Sequence, residues 1–110
     1  MKLPNGHLAQ IEHRKLTEYA LSLSHPHGRT HAILFKRLLD LDAHSALMLQ
    51  DALLLAAQNS DAIATEDQGF GQKYEVRFQM TGPRGSFTVL SVWIMPHNDL
   101  IPRLVTTYIE

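Results

Sequence analysis

The hydrophobic period of the chain changes near Asn59, and that change limits the fold more than any other feature. Before it, apolar residues recur at the three- and four-residue spacing of amphipathic helices. After it, they alternate as in strands with one buried face. Helices first and strands afterwards imply an α+β fold, with three N-terminal helices packed on a C-terminal antiparallel sheet of three to four strands. The 110 residues suit one domain, 1–110. At 12.4 kDa its folded surface should be roughly 6,100 Å². Hydrophobic residues are 45% and charged residues 19%, enough for a core and too apolar for a disordered chain.

The first helix is expected over residues 6–23, with Leu8, Ile11, Leu16, Tyr19, Ala20 and Leu23 on one face and Asn5 as its cap. The run from Ser24 to Gly28 stops it, since Pro26 and Gly28 interrupt helices. A second helix is expected over 30–39 from a Thr30 cap, with Ile33, Leu34, Phe35 and Leu38 inward. A third follows Asp42 and reaches about residue 58; its leucines wrap more than one face, so much of it should be buried. Strands are expected at 62–66, 74–81, 87–95 and 101–109. In 74–81, Tyr74, Val76, Phe78 and Met80 alternate with Glu75, Arg77, Gln79 and Thr81, which marks a wet face and suits a place near an edge. The 87–95 segment is apolar on both parities and should be central, with Trp93 in the core.

Several function classes drop out. Without cysteine there is no disulfide, thiolate zinc site or thiol nucleophile. No serine sits in a nucleophile-elbow context, and Gly69-Phe70-Gly71 lacks the lysine and helix of a phosphate loop. The longest apolar run, 52–57, is far short of a membrane span, and the first residues do not read as a signal peptide, so a cytoplasmic protein or a domain of a longer one is expected. A net charge of −1 makes no electrostatic case for nucleic acid, although protonating all seven histidines would take it to +6.

Two groups carry chemistry. His25-Pro26-His27-Gly28-Arg29-Thr30-His31 places three imidazoles and a guanidinium on a turn that leads into a helix N-terminus, where free N–H groups favour anions. A polar loop with a capping threonine is the plainer reading. No carboxylate lies inside the cluster to complete a metal site, and neither metal nor other cofactor is expected. The second group is Arg103-Leu104-Val105-Thr106-Thr107-Tyr108 on the last strand. There a guanidinium fork and hydroxyls suit a phosphate, with Arg103, Val105 and Thr107 expected on one face and Leu104, Thr106 and Tyr108 on the other. Thr and Tyr also simply favour strands.

In their order along the chain these groups resemble a family of small bacterial proteins of unknown function. The resemblance runs from Leu3-Pro4 through Lys15–Tyr19, His25-Pro26-x-Gly28-Arg29, Ala32 and Phe35. It continues through Gly71-x-Lys73-Tyr74, Gly82-Pro83-x-Gly85 and Val92-Trp93-Ile94 to Pro102-Arg103-Leu104-Val105-Thr106-Thr107-Tyr108. It departs at His31, where the pattern carries lysine. The layout is similar to the barnase–EndoU–colicin–RelE group of metal-independent ribonucleases. The resemblance implies a toxin-like domain that cleaves RNA through 2′-OH attack on phosphate, with a small antitoxin or immunity protein as partner. His25 or His27 would then act as base and acid, Arg29 and Arg103 would hold the phosphate, and Thr106 or Tyr108 would assist. Lys15 and His31 stand second. The alternative is a non-enzymatic module that binds a partner protein along the 74–81 strand.

Overall fold

In the computed structural model, which describes all 110 residues, Asn59 is the last residue of the helical half. Helix α1 is a short turn at His13–Lys15, α2 spans Arg29–Leu39 and α3 spans Ala46–Asn59. Strands β1 (Ala62–Asp67), β2 (Gly71–Gly82), β3 (Gly85–Pro96) and β4 (Arg103–Ile109) form one antiparallel sheet in that order. The α+β class, with helices first and a four-stranded antiparallel sheet after them, is therefore as the hydrophobic period implies. The accessible surface is 6285 Å². No helix is long and apolar enough to cross a membrane.

Local chemistry sets the ends of the longer helices. Before α3, the Asp42 carboxylate accepts from the His44 N–H at 2.9 Å, and Ser45 Oγ accepts from the Asp42 N–H at 3.3 Å, a reciprocal capping box. Helix α2 ends where Asp40 turns left-handed at φ 55°, a conformation that Asp tolerates. Leu16, Phe35, Leu49, Leu53, Val76, Val89 and Trp93 are fully buried between helices and sheet. Trp93 Nε1 donates to Ser91 Oγ at 2.9 Å, and Ser91 Oγ donates to the Val76 carbonyl at 2.8 Å, so the polar atoms inside this core have partners.

Four expectations are corrected. The first helix does not run over 6–23. Gly6–Leu8 is a 3₁₀ turn, and Ala9–Glu12 is non-helical. A helical segment starts only at His13 and passes into a π-helical turn at Leu16–Ala20. The reason is long-range: the Gln10 N–H donates to the Pro102 carbonyl (2.9 Å) and the Leu104 N–H donates to the Gln10 carbonyl (3.1 Å), so Gln10 pairs with β4 instead of a helix. Asn5 accordingly precedes only the 3₁₀ turn and its side chain makes no capping bond; its φ is 53° and its Nδ2 donates to the Leu100 carbonyl at 2.9 Å. Thr30 lies inside α2, one residue past the start, because the turn before it is closed by His25. The 74–81 strand lies at an edge only in part: β3 pairs with all of β2, and β1 covers its other side as far as Val76. Beyond Val76, from Arg77 to Thr81, one side of β2 has no neighbouring strand.

The fourth correction concerns β4. Thr106 pairs with Val92 and Leu104 pairs with Trp93, which leaves Val105 as an extra residue in a β-bulge. The strict alternation of faces breaks there. Leu104, Thr107 and Ile109 are all buried, and Thr107 Oγ1 donates to the Leu90 carbonyl at 2.8 Å. Thr107 is part of the core and not of a phosphate-binding face.

Candidate functional site

The bulge and the π turn together open a groove. β4 is one of the two outer strands of the sheet, and the chain from Gln10 to Ala20 crosses its free side. The π turn widens the backbone by one residue, the Leu21 N–H reaching back to the Leu16 carbonyl at 2.8 Å. This buries Leu16 and Ala20 and leaves Glu18 and Tyr19 on the groove wall. A cavity of about 640 Å³ lies between this wall, the His25 turn and β4, and Lys15, Glu18, Tyr19, His25 and Thr106 line it. A second cavity of about 270 Å³ continues toward Arg103 and Ile94. Both are lined by Glu12, Lys15 and Val105, so Lys15 stands where they meet. Its Nζ lies 3.5 Å from the Val105 carbonyl, and the side chain is half-buried.

The His25 turn is held by its own imidazole. The His27 and Gly28 N–H groups both donate to His25 Nδ1, each at 3.0 Å, and the ring meets Tyr19 edge-on with centroids 4.6 Å apart. Gly28 is needed for space: a Cβ there would stand 2.4 Å from the Tyr19 carbonyl oxygen.

Charge along the groove is mixed. Glu12 pairs with Arg14 at 3.1 Å. Arg103 donates to Asp99 Oδ2 and to Gln10 Oε1, both at 2.7 Å. The Arg103 guanidinium, followed by the Ile101 N–H, holds the Asp99 carboxyl below the usual carboxylate range. With its fork engaged in this way, Arg103 fastens the crossing segment to β4 at the end of the smaller cavity.

The sequence candidates are thus divided. Lys15, His25 and Thr106 line the larger cavity and Arg103 lines the smaller one. His27 is exposed with its ring 5.9 Å from that of His25 and lines neither cavity; nor does Arg29, exposed on the first turn of α2. His31 stacks on Tyr108 with ring centroids 4.6 Å apart, and this pair also lies outside both linings. Nowhere do three His, Asp or Glu side chains gather as a metal-holding group. Glu12, Glu18 and Tyr19 were not among the candidates. Tyr19 fitted a helix face, and the one signal in the sequence was Lys15 interrupting that face among other charges.

Comparison with known proteins adds fold and family. The family described as "Domain of unknown function (DUF6883)" matches residues 2–110. No curated protein matches the sequence. Among solved structures, one chain of a contact-dependent growth inhibition toxin–immunity protein complex from Klebsiella pneumoniae 342 superposes with a TM-score of 0.63. The alignment covers 91% of this chain and 98% of that one at 19% identity, a likeness of fold.

Proposed function

The chain belongs to the DUF6883 family, and from the groove its fold builds we propose that it is a metal-independent, ribonuclease-like toxin domain. One observation carries the reading: Lys15, His25 and Thr106, drawn from three separate stretches of sequence, line a single cavity of about 640 Å³. In the proposed reaction the 2′-oxygen of a ribose attacks the adjacent phosphorus, its proton passing to a base in the groove. The bond from phosphorus to the 5′-oxygen breaks, that oxygen takes up a proton, and a 2′,3′-cyclic phosphate and a 5′-hydroxyl remain. Negative charge gathers on the non-bridging oxygens, where the Lys15 ammonium and the Thr106 hydroxyl stabilise it. The fold shared with a chain of a toxin–immunity complex is in keeping with a toxin role and with a small immunity or antitoxin protein as partner. The test is degradation of total RNA in EDTA. The native chain and His27→Ala should degrade RNA, and Lys15→Met should be slower by roughly 10²–10³, the usual effect of losing one charge-stabilising group. Intact RNA at protein well above stoichiometric amounts contradicts the reading.

A second reading, a non-enzymatic protein-interaction module of a toxin–antitoxin or toxin–immunity pair, is favoured by β2 beyond Val76. The alternation of an antiparallel ladder leaves the outward N–H and C=O groups of Arg77, Gln79 and Thr81 open to a partner strand. Co-purification tests it. A Gln79→Pro variant should lose a partner held this way, and a chain that stays monomeric and captures nothing contradicts it.

A further inference from the structure

His25 is the one imidazole in the lining of the groove, and its hydrogen bonds fix where its proton sits. The main-chain N–H groups of His27 and Gly28 can only donate, and both meet Nδ1 at 3.0 Å. Nδ1 is therefore the acceptor and carries no proton. Turning the ring over would set Cδ2–H against the same two N–H groups and leave both without a partner. The bonds also hold the chain at the entry to α2, where the Arg29 N–H goes to the His25 carbonyl at 3.0 Å. With Nδ1 committed to the turn, the neutral ring bears its proton on Nε2, on the edge that faces away from the turn.

We propose that His25 serves the groove as a fixed N–H donor to a phosphodiester oxygen, and that it does not move the proton of the reaction. The phosphodiester rests on the ribonuclease reading above; the tautomer does not. A general base needs a free lone pair within reach of the proton it takes. On His25, Nδ1 spends its pair on two N–H groups and Nε2 holds a proton. To become a general acid the ring needs a proton on Nδ1, and that proton would displace both bonds of the turn. Proton removal falls instead to a groove carboxylate. Glu12 is tied to Arg14 at 3.1 Å, whereas Glu18 lines the same cavity and belongs to no salt bridge.

Two measurements test this. Long-range ¹⁵N–¹H correlation spectra of the full chain near neutral pH should show a pyridine-type Nδ1 and a pyrrole-type Nε2 for His25. A protonated Nδ1, or averaging between tautomers, overturns the inference without reference to RNA. The second measurement uses a 2′-O-methyl tetraribonucleotide, which the 2′-route cannot cleave. His25→Asn keeps an amide oxygen where Nδ1 accepts and lacks the distal N–H. It should fold cooperatively, melting only a few degrees lower for the lost Tyr19 ring contact, and bind the probe roughly ten- to hundredfold more weakly, the range for a hydrogen bond to a charged group. Native-like binding by His25→Asn overturns the donor role. A native chain that does not bind the probe overturns the phosphodiester together with the ribonuclease reading, and the spectra still decide the tautomer.

Discussion

Replacing Gly28 with alanine probes how the groove wall is built. The backbone at Gly28 has φ −84°, which any residue adopts, so conformation does not demand glycine. Space does. An added Cβ would lie 2.4 Å from the Tyr19 carbonyl oxygen and 3.1 Å from its carbon. Even a close C–H···O contact needs about 3.3 Å, so the His25 turn and the π turn must part by about 0.9 Å. The carbonyl is not free to yield, because it accepts from the Ser22 N–H at 3.2 Å. Overpacking of this kind costs about 1–3 kcal/mol, and a lost N–H bond to His25 Nδ1 adds about 1 kcal/mol. A total of about 2–4 kcal/mol should lower the urea midpoint by about 1–2 M, given an ordinary denaturant slope. Trp93, fully buried and the single tryptophan, reports unfolding by fluorescence. The control is Gly69→Ala, which meets nothing within 4 Å but carries φ +99°. It should lose only about 1–2 kcal/mol, from its backbone, and leave the His25 resonances in place. A Gly28→Ala stability within about 0.5 kcal/mol of native, the range of an inert surface change, would refute this packing.

Three further outcomes are expected. Ser91→Ala strips the buried Trp93 N–H of its acceptor and should cost about 1–3 kcal/mol by urea titration; the Ser91→Ala/Trp93→Phe pair, followed by circular dichroism, should cost less than the two single changes combined. The carboxyls of Asp42, Asp67, Asp99 and Glu110 are held low, chiefly by the His44 N–H, the Gly69 N–H, Arg103 and Arg77 respectively. Their stabilisation is full above the unfolded-state value of about 4 and drains away as pH falls through the lower folded values, so the melting temperature should drop on acidification from about pH 5 to about pH 3, and a flat profile contradicts it. Arg103→Gln removes the clamp on Asp99 and Gln10 and should slow RNA cleavage less than tenfold, against the roughly 10²–10³ expected for Lys15→Met; equal losses would put Arg103 against the substrate.

What the sequence made legible follows the range of the forces involved. α3 and the strands after Asn59 are specified by local pattern and local caps, and they stand close to where the pattern puts them. The 6–23 helix fails because its decisive bonds join Gln10 to Pro102 and Leu104, some ninety residues away, which no local period encodes. Leu8 and Leu23, counted on its apolar face, are 47% and 51% exposed, while Leu21, which the period passed over, is buried. The Val105 bulge is hidden for a similar reason: pairing with β3 decides it, and the residues of β4 alternate as any strand does. Nor does density of histidine in the sequence mean convergence in space. One turn sends His25 into the groove, leaves His27 outside and hands His31 to Tyr108. Lys15 enters from the sequence only as a second-rank residue of the resemblance, yet it stands where the two cavities meet.

RNA chemistry in the Lys15–His25–Thr106 groove is tested most directly by the ends of the cut strands. RNA incubated with the native chain in EDTA should acquire 2′,3′-cyclic phosphate and 5′-hydroxyl ends, and Lys15→Met should form them far more slowly. Ends bearing a 5′-phosphate, or cyclic phosphate formed equally fast by Lys15→Met, would contradict it.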